Sequence, residues 1–334
     1  MRALVTGGGG FLGKAIVQQL LQSGYSVHVF SRQRYPELDR MGVHSLQGDV
    51  SDFSAVERAS YDCDIVFHVA ARAGIWGSYQ EYFKTNVTGT ENVIRACRRL
   101  RISRLVYTST PSVVFNGQDI EDGDESLPYA FRYKAPYPQT KAAAEAKVLA
   151  ANDAQLATVA LRPHLIFGPG DRHFVPGILN RGRRRRGLFR IGSVSKLVDF
   201  TYVDNAADAH VLAAQKLALG SKVAGRAFFV SNGEPTALWE FVNRIMKMAN
   251  LEPVKRTLNP HLAYGIGWLL ESAYTLFSVE QEPLLTRFLA DQLSCAHWFN
   301  ISAAKSLLGY KPKVNMEEGL DRLRHWMGLT NLRS

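Results

Sequence analysis

A run of glycines behind the first apolar segment constrains this chain more than any other feature. Residues 3–6 have the character of a buried strand, and Gly7-Gly-Gly-Gly-Phe-Leu-Gly13 then leads into an amphipathic segment at 11–23. Glycines in this place let the backbone turn tightly, approach a phosphate without a Cβ in the way, and pack the helix on the strand. The helix N-terminus then faces the phosphates. The sequence predicts a dinucleotide site, with a glycine turn that binds nothing as the alternative. The residues expected to contact the dinucleotide here are Gly7, Gly10, Phe11, Leu12 and Gly13.

Apolar segments alternate with amphipathic segments through the first half of the chain. The apolar segments lie at 3–6, 27–30, 64–69, 105–108 and 158–162. They are apolar on both faces, which is typical of parallel strands that helices cover on each side. The segments at 11–23 and 91–100 fit crossover helices. The pattern predicts an α/β fold with a doubly wound parallel sheet of the Rossmann type.

The alternation ends after Gly-Pro-Gly-Asp at residues 168–171. Helical segments and loops follow, with one further strand near 226–230. We expect a dinucleotide-binding domain at 1–170 and a smaller, mostly helical substrate-binding lobe at 171–334, which returns a strand to the sheet. Because the sequence has no internal repeat and no low-complexity linker, independent domain motion is not expected.

Charge and cysteine content bear on the partners of this protein. The net charge is +10, and arginines at 181, 183–186 and 190 supply much of it. Such a run attracts nucleic acid, anionic lipid or acidic substrates, or forms a solvated loop. No DNA-binding motif accompanies it, so we expect no nucleic-acid partner. The three cysteines lie far apart without histidines at metal spacing, so we expect no metal site and a reducing compartment.

Two segments bear on localisation. The first residues lead directly into a strand and leave no room for a signal peptide, so a cytoplasmic protein is expected. Residues 262–279 are the most apolar stretch, but Glu271 lies near the middle. A membrane span needs about 20 nearly uncharged residues. We interpret this stretch as a buried or interfacial helix, which leaves peripheral membrane contact open.

The second strand ends in Ser31-Arg32, which bears on the choice of cofactor. Folds that bind NAD place an acidic residue there to hold the ribose hydroxyls. An arginine pairs instead with a 2′-phosphate. The sequence therefore predicts NADPH in preference to NADH, with Ser31 and Arg32 at the ribose and Arg34 as a further candidate. The alternative is that Arg32 stacks over the adenine.

Tyr137 and Lys141 form the candidate proton-transfer pair. They lie at i and i+4 in a segment of strong helix formers, which places both side chains on one helix face. An ammonium group and a nicotinamide cation nearby both favour phenolate, so we expect a lowered pKa for the phenol. Tyr137 then exchanges a proton with a ketone or an alcohol as hydride moves, and Lys141 also holds the nicotinamide ribose.

Two further segments end strands where open α/β sheets bind ligands. Tyr-Thr-Ser-Thr-Pro-Ser-Val at 107–113 brings hydroxyl groups there, and Arg-Pro-His at 162–164 offers backbone groups, Pro163 included, to the nicotinamide amide. His68 is expected to pack beside the cofactor without a proton-transfer role. Trp76, Tyr79 and Tyr82 fit either an aromatic substrate wall or core packing.

These features together resemble the extended short-chain dehydrogenase/reductase family over nearly the entire chain, and within it the 3β-hydroxysteroid dehydrogenase-like branch. The segments at 73–79, 107–113 and 285–298 resemble, more narrowly, the bacterial 2-alkyl-3-oxoalkanoate reductases of long-chain olefin biosynthesis. That resemblance implies reduction of a hydrophobic long-chain β-keto acid to the β-hydroxy acid. With the cofactor expected above, the resemblance implies an NADPH-dependent ketone reductase of lipid metabolism.

The resemblance also implies roles for individual residues. It makes Tyr137 the acid/base and Lys141 its partner. The second strand-end hydroxyl, which anchors the substrate oxygen, is usually serine in the family but is Thr110 here, with Ser109 before it, so either hydroxyl fits that role. The remaining implied positions are Asp49 and Val50 near adenine, Ala70 and Ala71 in the cofactor groove, and Asn86 at the active-site face.

Other functions fit parts of the same pattern. A 3β-hydroxysteroid or sterol dehydrogenase, a nucleotide-sugar epimerase or dehydratase, and a regulator that senses NADP without chemistry all share the fold. Ser31-Arg32 disfavours the tightly held NAD of epimerases, and a regulator has no need of Tyr137 together with Lys141. The residues 263–270, with Tyr274, Leu276 and Phe277, fit an apolar channel, a lipid contact or plain core packing. A homodimer and assembly with pathway enzymes stay open.

Overall fold

The computed structural model describes residues 1–184 and 188–329 of the chain. Its strands are β1 (Arg2–Thr6), β2 (Ser26–Ser31), β3 (His44–Gln47), β4 (Ile65–His68), β5 (Arg104–Thr108), β6 (Ile120–Gly123), β7 (Ala157–Pro163), β8 (Ile166–Phe167), β9 (Arg190–Ile191), β10 (Leu197–Val198), β11 (Thr201–Tyr202), β12 (Arg226–Val230), β13 (Thr236–Ala237), β14 (Thr257–Leu258) and β15 (His297–Phe299).

The helices alternate with these strands. They are α1 (Phe11–Gln22), α2 (Pro36–Asp39), α3 (Phe53–Ser60), α4 (Tyr79–Phe83), α5 (Gly89–Arg99), α6 (Pro136–Ala150), α7 (Phe174–Gly182), α8 (Val203–Lys216), α9 (Leu238–Met248), α10 (Pro260–Leu276), α11 (Arg287–Ser294) and α12 (Met316–Leu329). A π-helical stretch at Lys84–Thr88 joins α4 to α5.

A seven-stranded parallel sheet with the order β12-β7-β5-β4-β1-β2-β3 forms the centre of the molecule. Every residue of β4 and β7 is buried, as strands covered on both faces require. Apolar side chains of α1 and α8 pack together on one face, and those of α3, α5 and α6 pack on the other. The predicted α/β fold with a doubly wound parallel sheet is confirmed.

The parallel register brings the carboxyl ends of the central strands to one edge. Thr6 of β1 is level with Phe30 of β2 and with His68 of β4. His68 is in turn level with Tyr107 of β5. The chain therefore leaves these strands at one edge, where ligands bind in open α/β sheets.

The second half of the chain contributes both to the main sheet and to smaller ones. The strand expected near 226–230 is β12, which pairs in parallel with β7. A four-stranded sheet has the order β13-β10-β15-β6 and joins β6, from the first half, to strands of the second half. Two strand pairs, β8 with β11 and β9 with β14, complete the lobe. The sequence predicted a mostly helical lobe with one further strand, but not these short strands.

The helix α10 covers most of the apolar stretch noted in the sequence. It buries Ala263, Gly267 and Glu271, whereas Leu262 and Leu269 are more than half exposed. One face of α10 therefore packs against the protein and the other is exposed, so α10 is not a buried core helix. In the described part of the chain, no helix combines the length and the apolar character that crossing a bilayer requires.

The arginine run lies beside α7 and β9. Arg181 pairs with Glu282 at 3.0 Å, and Arg190 donates a hydrogen bond to the hydroxyl of Thr257 at 2.7 Å. Arg185 and Arg186 lie outside the described residues. At least two of the arginines in this run therefore serve contacts within the protein.

Candidate active site

A cleft of about 730 Å³ opens at the carboxyl edge of the main sheet. It gathers most of the site residues predicted from the sequence. Those that line it are Gly7, Gly10, Phe11, Leu12, Gly13, Ser31, Arg32, Asp49, Val50, Ala70, Ala71, Ser109, Tyr137 and Lys141. Thr110 and Pro163 are buried and do not line the cleft. Pro163 ends β7 beside Val230 of β12.

The glycine turn has no room for larger residues. Gly7 has a φ of +69°, and a Cβ on it would lie 2.8 Å from the Cα of Ala70. A Cβ on Gly13 would lie 2.2 Å from the carbonyl oxygen of Gly7. The turn therefore keeps α1 close to β1 and leaves its N-terminal end open to the cleft, which fits a dinucleotide pyrophosphate.

The far end of the cleft is formed by the residues that follow β2 and β3. The backbone carbonyl of Arg32 accepts a hydrogen bond from Gln47 at 2.9 Å, which fixes the chain behind its guanidinium group. Arg34, the further candidate for the 2′-phosphate, instead pairs with Asp39 at 3.2 Å and does not line the cleft. Arg32 is therefore the arginine of this segment that is placed at the cleft.

Lys141 lies on α6 with only 3% of its surface exposed. Its ammonium group donates a hydrogen bond to the carbonyl oxygen of Thr108 at 2.5 Å and lies 4.1 Å from the centre of the Tyr107 ring. Burial lowers the pKa of Lys141 to about 7, against a smaller opposing effect of the Glu145 carboxylate. This lysine therefore titrates near neutral pH.

Tyr137 lies one helical turn before Lys141 and lines the same cleft. Burial raises the pKa of Tyr137 to about 12, and a hydrogen bond with Thr110 only partly opposes this effect. The protein by itself thus does not lower the pKa of this phenol, and the contribution expected from a nicotinamide cation stays a prediction. The physical reason is that loss of hydration penalises the phenolate more than nearby groups stabilise it.

The two strand-end hydroxyls differ in their surroundings. Thr110 accepts a hydrogen bond from the backbone N–H of Ser112 and donates one to the Ser112 hydroxyl, each at 3.2 Å. Ser109 is 4% exposed, and within the described residues its hydroxyl has no hydrogen-bond partner. A buried hydroxyl without a partner is costly unless a ligand satisfies it. Ser109 also lines the cleft, whereas Thr110 contacts the phenol of Tyr137.

Buried polar side chains hold the surrounding loops in place. Asn86 donates hydrogen bonds to the hydroxyl of Thr140 at 3.0 Å and to the carbonyl of Arg72 at 3.1 Å, and accepts one from the N–H of Arg72 at 2.7 Å. It therefore ties the loop after β4 to α6. His68 lies between the hydroxyls of Thr6 and Thr90, and burial lowers its pKa to about 3. His68 is therefore a neutral, packed histidine, as expected.

The aromatic residues at 76, 79 and 82 separate into different roles. Tyr82 is buried and donates a hydrogen bond to the carbonyl of Trp76 at 3.0 Å. Tyr79 is more than a third exposed beside Phe83. Trp76 lines a neighbouring pocket. The core interpretation holds for Tyr82, whereas Trp76 is placed where it can contact a ligand in that pocket.

The sequence reasoning missed residues that reach the cleft from the second half of the chain. Arg172 and His173 line it between β8 and α7. Asp171 positions them, because its carboxylate accepts hydrogen bonds from the N–H groups of residues 173, 174 and 175. The signal in the sequence was Gly-Pro-Gly-Asp at 168–171, which reads as a turn followed by a helix N-cap.

Comparison with known proteins agrees with this geometry. Residues 4–260 match the 3-beta hydroxysteroid dehydrogenase/isomerase family. The chain is 50% identical over 330 residues to the 2-alkyl-3-oxoalkanoate reductase of Shewanella oneidensis, covering 96% of this chain and 85% of that protein. It is 36% identical over 325 residues to the mouse (Mus musculus) sterol-4-alpha-carboxylate 3-dehydrogenase, decarboxylating, covering 96% and 89%.

A solved structure with the same fold is the UDP-glucose 4-epimerase of Thermus thermophilus in complex with NAD. It has a TM-score of 0.73 and 26% sequence identity, and the alignment covers 98% of this chain and 99% of that one. The glycine turn, the cleft and these similarities all indicate a dinucleotide-binding enzyme. The chain belongs to the 3-beta hydroxysteroid dehydrogenase/isomerase family, and it is an NAD(P)-dependent oxidoreductase of the extended short-chain dehydrogenase/reductase type.

Proposed function

We propose that this protein reduces a 2-alkyl-3-oxoalkanoate to the 2-alkyl-3-hydroxyalkanoate with NADPH. The observation that carries the proposal is the 50% identity, over nearly the whole chain, to a reductase named for that substrate. The cleft supports it chemically, because a phenol that keeps its proton and a buried hydroxyl without a partner both line it.

NADPH, held over the glycine turn at Gly7 and Gly13, would supply a hydride for the carbonyl carbon. Tyr137 donates its phenolic proton to the carbonyl oxygen, so that C=O becomes CH–OH, and Ser109 donates a hydrogen bond to the same oxygen. A phenol with a raised pKa remains protonated at neutral pH, which suits a proton donor in a reduction. Lys141 holds the nicotinamide ribose, and Asn86 keeps the loop at Arg72 against α6.

A sterol carboxylate is the second candidate substrate. The mouse relative is named for a sterol with a carboxylate on carbon 4 and chemistry at carbon 3. A 2-alkyl-3-oxoalkanoate likewise has its carboxylate one carbon away from the ketone carbon. Both relatives are thus named for substrates in which a carboxyl group lies β to the reacting oxygen.

The proposed function is tested by turnover of the purified protein with NADPH. A 2-alkyl-3-oxoalkanoate is expected to be reduced in preference to a sterol 3-keto-4-carboxylate and to UDP-glucose. Tyr137→Phe removes the proton donor and is expected to lower kcat about 10²- to 10⁴-fold. Tyr61→Phe, an exposed tyrosine, is the control and leaves kcat unchanged. A Tyr137→Phe variant with the wild-type rate would remove Tyr137 from the mechanism.

The cofactor preference is tested separately. Arg32 lines the cleft after β2, so Arg32→Ala is expected to lower kcat/KM for NADPH about 10-fold or more, as loss of a charge-assisted hydrogen bond implies. The same change has little effect with NADH. Arg34→Ala is the matched control, because Arg34 faces Asp39. A wild-type protein that prefers NADH would contradict the proposal.

A further inference from the structure

A second pocket, of about 1000 Å³, lies next to the cofactor cleft. The two share chain segments: Ala73 lines the cleft and Arg72 the pocket, while Tyr137 lines the cleft and Pro136 the pocket. The pocket therefore adjoins the cleft near Tyr137. A substrate whose ketone reaches Tyr137 has this space for its remaining parts.

One side of the pocket is apolar and held rigidly. Trp76 and Tyr274 pack edge to face with their ring centres 6.1 Å apart. The indole N–H of Trp76 donates a hydrogen bond to the carbonyl of Val279 at 3.1 Å, which ties the loop after β4 to the end of α10. Leu276 and Ile75 extend this side. Such a surface suits an alkyl chain.

Three cations line the pocket, Arg72, Lys134 and Arg287, and each is paired with a carboxylate. Lys134 places its ammonium group 2.5 Å from a carboxylate oxygen of Asp291. Arg72 pairs with Glu81 at 2.7 Å, and both side chains are at least 40% exposed, so water competes for this pair. Lys134 has a point charge rather than a planar fork, and one of the two terminal nitrogens of Arg72 is already engaged by Glu81.

Arg287 is arranged differently. Glu271, which is nearly buried, accepts hydrogen bonds from both the backbone N–H and the Nε–H of Arg287, each at 2.6 Å. Both oxygens of the Glu271 carboxylate thereby bind Arg287 on its backbone and Nε side. The two terminal nitrogens of Arg287 make no hydrogen bond to the described residues, and they form the planar fork that matches a carboxylate.

We propose that Arg287, held at its Nε edge by Glu271, binds the carboxylate of the substrate through its terminal nitrogens, with an alkyl chain against Trp76 and Tyr274. The inference rests on the proposed function and names the part of the site that recognises the β-carboxyl group. It also explains why a pocket with an apolar wall contains a positioned guanidinium group: the ligand that fits is an amphiphile.

The test compares an acid with its neutral ester. The substrates are a 2-alkyl-3-hydroxyalkanoic acid and its methyl ester, oxidised with NADP⁺, because the hydroxy compounds are chemically stable. Arg287→Gln is expected to raise KM for the acid about 10- to 100-fold, as loss of hydrogen bonds to a charged group implies, and to leave KM for the ester unchanged. Arg287→Lys keeps the charge without the fork and recovers only part of the affinity.

Two controls separate recognition from folding. Arg244 pairs with Glu317 on the surface, so Arg244→Gln removes a comparable ion pair and changes neither KM. Because Arg287→Gln leaves Glu271 nearly buried without its partner, the double variant E271Q/R287Q is measured as well and shows the same selective loss for the acid.

The outcomes distinguish this inference from the function on which it rests. If the wild-type protein oxidises neither compound, the proposed function fails. If the wild-type protein oxidises both but does not favour the acid, or if Arg287→Gln affects acid and ester equally, the assignment of Arg287 is overturned. The same conclusion follows if Arg72→Gln or Lys134→Gln, rather than Arg287→Gln, produces the selective loss.

Discussion

Lys141 is an ionisable group whose burial links the active site to pH. Its pKa falls from 10.5 to about 7 because the charged form loses its hydration. The unfolded chain keeps this proton up to about pH 10.5, whereas the folded protein releases it above about pH 7. Since the unfolded state binds more protons in this interval, the free energy of unfolding increases as pH rises through it.

This prediction is measured as the difference between wild type and Lys141→Met. Between about pH 7 and 10 the free energy of unfolding of the wild type should rise relative to that of the variant, by up to about 1.4 kcal/mol per pH unit. Below pH 7 the two curves should run parallel. Parallel curves over the whole range would mean that Lys141 stays charged in the folded protein.

At the scale of single residues, the sequence predicted those functional residues that occur in motifs of fixed spacing. Gly7, Gly13, Tyr137 and Lys141 stand in recognisable intervals, and all four line one cleft. It did not predict the surroundings of a residue. Within the described residues the hydroxyl of Ser109 has no hydrogen-bond partner, whereas that of Thr110 bonds to Ser112, and the residue types alone do not reveal this difference.

The helix α6 is the element on which the catalytic pair depends, and a buried ion pair fastens it to β7. Glu145 of α6 is fully buried, and Arg162 of β7 donates to it from Nε and Nη2 at 3.0 and 2.6 Å. Tyr129 donates a further hydrogen bond to the same carboxylate at 2.9 Å. This ion pair therefore holds α6 on the sheet, and removal of either charge would leave the other charge buried without a partner.

The replacement Arg162→Met is expected to lower the free energy of unfolding by about 3–5 kcal/mol, because it leaves the Glu145 carboxylate buried without its cation. Arg98→Met, which removes an exposed pair with Asp153, should cost less than about 1 kcal/mol. The double variant E145Q/R162M should recover part of the loss. Chemical denaturation measures all three, and similar losses for Arg162→Met and Arg98→Met would argue against a special role for the buried pair.

At the scale of elements, the sequence predicted strands that are apolar on both faces. The edge strand β3 is only partly buried and has polar ends, so its pattern carried no signal. The strands β10 and β15 are two and three residues long and pair across about 100 positions of the chain. Such short pairings are set by the tertiary structure and not by local periodicity.

The whole molecule is built from interleaved halves. The main sheet takes β12 from the second half, and α8 packs against α1. The division into a dinucleotide-binding domain at 1–170 and a substrate-binding lobe at 171–334 remains a prediction about roles. The two parts are not structurally separate, because strands from both halves form the main sheet.

A fragment of residues 1–170 is therefore expected not to fold by itself. Without β12 the edge of β7, all of whose residues are buried in the full chain, would be open to pairing with other molecules. Size-exclusion chromatography and thermal melting should show aggregates without a cooperative transition, whereas the full chain melts cooperatively. A monomeric fragment with a sharp transition would mean that the first half is self-sufficient.

The place of β12 in the sheet also has a consequence during synthesis. From Pro163, where β7 ends, to Arg226, where β12 begins, the chain runs 63 residues. At about 5–20 residues per second, a ribosome needs roughly 3 to 13 seconds to supply the missing neighbour. For that interval β7 of the nascent polypeptide is an unpaired apolar edge strand, to which cellular chaperones can bind.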